Sequence, residues 1–186
     1  VVIMLAALSL GIGIGHLMEL PARMAWDQNL WVGATAQGGF YALSGPLGVL
    51  LQVFTIIALI VLAILLRRHG VAGAPFTIAA AVMFAIGLLV WWIFVYPVNV
   101  ELAKWVNGRV PDNWADWRAL WEWGQAANGL AQLAGFAALI ASVLVGQDEA
   151  RVRPGSCHGT VANPFQLPPL RPTMACIRGA PANALC

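Results

Sequence analysis

His16 and Glu19 stand three residues apart at the end of an apolar block, a spacing that puts an imidazole and a carboxylate on one helix face. Tyr96 and Asn99 repeat that spacing at the end of another apolar block, where Pro97 removes an amide donor and can leave a carbonyl free. Trp121, Gln125, Asn128 and Gln132 follow steps of four, three and four, a single stripe along a helix. A histidine held by a carboxylate is a candidate general base, and amide side chains can donate hydrogen bonds to a developing oxyanion. A carboxylate at the centre of a membrane helix costs roughly 2.5–3.5 kcal/mol, so polar groups in such helices face the protein interior or water. Taken singly, each of these residues is as well explained by helix-to-helix hydrogen bonding, worth about 0.6 kcal/mol per contact. Their convergence on one membrane depth is what raises a functional cavity as a reading.

The elements that must position them are membrane spans. Sixty per cent of the residues are hydrophobic, ten per cent are charged, and the mean hydropathy is +0.77, against about 25% charged in a soluble domain. Four apolar blocks, residues 1–20, 47–66, 76–96 and 126–145, are each long enough to cross a bilayer. The first could also be read as a signal peptide, but it has neither a basic start nor a small-residue cleavage site, and it leaves through Glu19-Leu20-Pro21. Ser44-Gly45-Pro46 and Pro75 are helix-start signals for the second and third blocks. The short connection at 67–75 favours antiparallel neighbours. The expected fold is therefore an all-α integral membrane protein: an antiparallel four-helix transmembrane bundle over residues 1–147, with interfacial amphipathic segments on one side. Its partner is the lipid bilayer, as a multi-pass protein of a bacterial-type inner or plasma membrane. The net charge of +2 is dispersed, without the basic run that nucleic acid would require.

Charge does not assign the sides. Four arginines (67, 68, 151, 153) fall on the side of the chain ends, and Arg23, Lys104, Arg109 and Arg118 fall on the other. The closer packing of the first four against span ends favours that side as cytoplasmic. Aromatic residues are far less even: all nine tryptophans and both tyrosines, Tyr41 and Tyr96, lie on or near the second side. Segments 21–45 and 97–125 would then form two halves of a cover over one end of the bundle. Most of their tryptophans are expected to act as interfacial anchors, and some to line a pocket for a flat apolar molecule.

The span ending in His16, the Tyr96-Pro97-Val98-Asn99 exit, Trp105 with Pro111 and Trp114, and the approach from Arg118 to Trp121 into a final span carry a resemblance. Over about residues 1–147 the chain resembles a family of small four-span membrane proteins that includes the fungal anthrone oxygenases. His16 and Asn99 match that family's pattern. Where the family tends to carry a histidine four residues after the tryptophan and an arginine three further on, this chain has Gln125 and Asn128. The resemblance implies an oxygenation without metal or other cofactor, in which a base takes an acidic proton from a hydroxyaromatic and the electron-rich enolate reacts with oxygen. His16 would be the base, oriented by Glu19. Asn99, Gln125 and Asn128 would donate to the oxyanion, with Tyr96, Arg118 and Trp121 completing the substrate site.

Two other classes compete. A metal site built on His16, Glu19 and Glu101 is a thin ligand set. A non-catalytic accessory subunit, or a binder of lipid or an apolar small molecule, is favoured by the replaced histidine and arginine. Alternating-access transport has little support in four spans without an internal repeat. The segment 148–186 is Pro-rich, holds all three cysteines, and is expected to be disordered. Cys157-His158 lacks a second ligand pair, and the terminal Cys186 is not a prenylation box.

Overall fold

The computed structural model describes residues 1–37, 39–106 and 108–152, with backbone alone for 37, 39–44 and 149–152. The Pro-rich tail from 153 onward, with Cys157 and His158, lies outside the described residues. Among the described residues six α-helices follow in order: α1 (Val2–Met24), α2 (Gln28–Val32), α3 (Gly39–Arg68), α4 (Ala74–Val90), α5 (Tyr96–Trp105) and α6 (Trp114–Val152). Two π-helical turns, Gly33–Gln37 and Trp91–Val95, join α2 to α3 and α4 to α5. Among the described residues four helical stretches are long and apolar enough to cross a membrane: Val2–Met24, Gly45–Arg68, Ala74–Trp105 and Trp114–Asp148. In the bundle α1 packs on α3 and α6, and α4 on the same two, so the first and last helices close the ring.

The bundle distributes polarity as a bilayer demands. Leu8, Phe54, Ile57, Val82, Leu89 and Leu130 are exposed, whereas Ser9, His16, Gln52, Thr55, Thr77 and Gln132 are buried. In lipid an apolar surface costs nothing to expose, and a polar group must find its partner inside.

Glycine sets the closest contact. A Cβ on Gly129 would lie 2.8 Å from the Gly13 carbonyl oxygen, and one on Gly13 would lie 3.0 Å from Gly129 Cα. The α1 and α6 backbones therefore touch, the close approach that small residues permit between membrane helices. Because the obstacle is backbone, it cannot rotate away. Gly129→Ala is expected to cost about 1–3 kcal/mol, the range for overpacking a tight core, read as a lowered unfolding temperature in mild detergent. Gly11→Ala, where a Cβ meets nothing within 4 Å, is the control expected to leave it unchanged.

The helices overrun the apolar blocks on the covered side. The helix of α1 continues through Pro21 to Met24, and α3 starts at Gly39 with Pro46 inside it, so Ser44-Gly45-Pro46 is not the helix start that the sequence suggests. Pro75 does stand in the first turn of α4. The third span does not stop at Tyr96: the π turn and α5 carry it to Trp105, and α6 begins twelve residues before Ala126, at Trp114. Hydropathy marks where the bilayer ends, whereas helical hydrogen bonding continues as long as other packing supports it.

That packing is the tryptophans. Trp31, Trp105 and Trp121 are buried with Val95, Val98 and Leu102 in a core of their own, and Trp26, Trp91, Trp114 and Trp117 pack against it. Among the five tryptophans of the long connection only Trp123 is largely exposed, at 60%. Beyond the interfacial anchoring expected of them, most of these rings form a packed core. The rings bury one another, Trp105 meeting Trp117 edge to face at 6.2 Å.

Candidate functional site

Beneath this aromatic core lies a cavity of about 650 Å³, lined by α1, the first π turn, α3, the second π turn, α5 and α6. Its volume falls within the roughly 300–1,000 Å³ typical of small-molecule sites. His16, Tyr96, Asn99, Trp121, Gln125 and Asn128 all line it. Six of the eight residues singled out from sequence thus share one space.

The local reasons are visible. In α1 the buried positions Ser9, His16 and Arg23 recur every seven residues and turn one polar seam toward α6. On α6 Gln125, Asn128 and Gln132 are buried along the facing stripe. Pro97, having no amide hydrogen, interrupts the α-helical ladder, and the chain absorbs this in the π turn, where the Tyr96 amide donates to the Trp91 carbonyl. The wider turn resets the register so that Asn99 faces α6. There its Oδ1 accepts from Trp121 Nε1 at 2.8 Å, which makes the NH2 of Asn99 its donating end.

Trp121 is the hub. The His16 ring meets it edge to face at 5.4 Å, Trp31 does so at 6.3 Å, and the Arg23 guanidinium lies 4.9 Å from its ring centre. At the rim Trp92 and Tyr96 stack with centroids 4.8 Å apart and planes 8° from parallel. The opposite wall is an amide network. Ser9 Oγ donates to Gln132 Oε1 at 2.9 Å, and Asn128 Oδ1 accepts from Gln52 Nε2 at 3.0 Å and from Gln132 Nε2 at 3.1 Å. Gly87 makes room for it, since a Cβ there would lie 2.7 Å from Asn128 Oδ1.

Two residues lie elsewhere. Glu19 is exposed and does not line the cavity. It sits about 60° round the helix from His16, and the buried face of α1 is too narrow to include both. The carboxylate that would orient His16 is thus not Glu19. Arg118 also stays outside the lining: Nη1 donates to the Trp26 carbonyl and the guanidinium covers Trp114 at 4.7 Å, which ties the start of α6 to the end of α1. Glu101, the third member of the thin metal set, pairs with Lys104 at 2.6 Å. Among the described residues no three His, Cys, Asp or Glu side chains cluster.

The sequence reading missed a buried ion pair. Arg23, fully buried, donates through Nε to Glu122 Oε1 at 2.7 Å and through Nη2 to Thr35 Oγ1 at 2.7 Å. Trp31 Nε1 donates to the same Glu122 oxygen at 2.7 Å. Thr35 in turn lines the cavity, so the clamp reaches its wall. The seven-residue recurrence from Ser9 through His16 to Arg23 was the available signal. Pro21 hid it by suggesting that the helix had ended. Gln52 was also legible, as an amide inside an otherwise apolar block.

No family model, curated protein or solved structure matches the chain.

Proposed function

We propose that this multi-pass membrane protein binds an apolar hydroxyaromatic small molecule in the cavity and oxygenates it without a cofactor, in the manner of the anthrone oxygenases it resembles. The observation that carries the reading is the meeting of His16, Asn99 and Gln125 around one open cavity with an aromatic rim. His16 takes the acidic C–H proton of a hydroxyanthrone, leaving an enolate whose oxygen is held by Asn99 and Gln125. Dioxygen accepts electrons from that carbon and adds to it as a hydroperoxide. Loss of water then leaves a carbonyl, so each ring consumes one dioxygen and releases one water. The stacked Trp92 and Tyr96 supply a flat apolar surface for the rings.

A second reading, a non-catalytic binder of lipid or a small apolar molecule, is favoured by the amide network, whose Ser9, Gln52, Asn128 and Gln132 groups are bonded to one another as helix-to-helix ties would be. Oxygen uptake separates the two. Protein in lipid nanodiscs, given 1,8-dihydroxyanthrone, is expected to consume oxygen and ring one to one above the empty-disc rate. Ring binding without uptake would leave the binder. Absence of both would remove the proposal.

A further inference from the structure

We propose that the cavity is loaded sideways from the bilayer and that its ligand is an amphiphile, an oxygen-bearing ring that enters first with a long apolar tail left among the lipid chains. This rests on the reading of the cavity as a small-molecule site and adds the route and the shape of what it takes.

The argument starts from where the cavity wall is thin. Between α3 and the Trp91–Tyr96 segment, its described lining includes three residues that also belong to the outer surface: Leu50 is 54% exposed, Trp92 58% and Tyr96 42%. Gly45 keeps α3 low at this border, since a Cβ there would meet no described atom within 4 Å. Among the described residues, the backbone contact of Gly13 with Gly129 and the buried rings of Trp31, Trp105 and Trp121 pack the bundle tightly elsewhere.

The mouth is bordered by uncharged stretches. Neither 45–66 nor 76–100 contains an Asp, Glu, Lys or Arg, and Leu50 and Trp92 fall within those stretches. A molecule dissolved in the membrane therefore meets no charged barrier at this opening. Polarity is graded along the path. His16, Gln125, Asn128 and Gln132 line the deep wall and are buried, whereas the mouth is bordered by aliphatic and aromatic carbon. A ring with oxygen substituents gains hydrogen bonds only at the deep end, and a tail gains nothing by following it. With the mouth open to lipid, tail length is not limited by the cavity volume.

Photolabelling tests this. The probes are 1,8-dihydroxyanthrone and the same ring carrying a decyl chain with a diazirine at its far end, added to the full chain in nanodiscs. The tailed probe is expected to label peptides around Pro46–Leu50 and Trp92–Tyr96, and excess tail-less ring should suppress that labelling at least tenfold. Gly45→Trp, which fills the mouth, should abolish it, while Gly11→Trp, equally unobstructed but outside the cavity lining, should not. Labelling spread over all four spans and insensitive to the competitor would overturn the proposal. If the tail-less ring binds and the tailed one is excluded, lateral loading falls and the small-molecule reading stands; if neither binds, that reading falls and takes this one with it. Should Gly45→Trp fail to fold, the competition on the parent protein decides.

Discussion

Glu122→Ala is expected to destabilise the folded protein by about 3–5 kcal/mol, the usual cost of removing one partner of a buried ion pair. Glu122 Oε1 accepts from Arg23 and from Trp31, each at 2.7 Å, and Arg23 is 0% exposed. Truncation leaves a guanidinium and an indole N–H buried without that acceptor, at the point where α1, α2 and α6 meet. The penalty comes from the stranded groups more than from the lost attraction, so removing both charges should be milder. Arg23→Met combined with Glu122→Leu is expected to cost much less than the sum of the single replacements, because neither charge is then left behind. Thermal unfolding of the four proteins in one mild detergent gives the cycle. Additive losses would mean that the two side chains act independently, against the geometry.

His16→Ala is expected to lower turnover of the hydroxyanthrone by roughly 10²–10⁴, the usual contribution of a positioned general base. The imidazole is 6% exposed and meets Trp121 at 5.4 Å, so it has a packing role as well. His16→Gln separates the two. It keeps most of the volume and should restore the unfolding temperature, but not the rate, since an amide cannot accept the proton. Ring affinity should change little in either variant, because the apolar contacts of Trp92 and Tyr96 remain. Rates within a few-fold of the parent in both variants would make His16 a packing residue.

Sequence was most informative about whatever depends on period and hydropathy. The four apolar blocks gave the bundle, and the stripe Trp121–Gln125–Asn128 gave one wall of the cavity, because helical spacing alone decides which residues share a face. The Glu19 assignment shows the limit of that argument. Three residues of separation place two side chains on neighbouring lines of a helix, but the width of the buried face depends on a partner that is remote in sequence, here Gly129 against Gly13. The pairing of Arg23 with Glu122 was illegible for a related reason. Each lies beyond the apolar edge of its block, where composition suggests a connection and the backbone is still helical. Their pairing spans 99 residues, which no local pattern reports.

That separation has a consequence for how the protein is made. Arg23 leaves the ribosome near the end of α1, whereas Glu122 belongs to α6. Until α6 has been made, therefore, the arginine must remain where water or lipid headgroups can solvate it. It is withdrawn only after α6 arrives and Gly129 seats against Gly13. The ion pair thus acts as a latch on the order of assembly: α1 cannot settle into this burial until α6, 99 residues further on, has joined it.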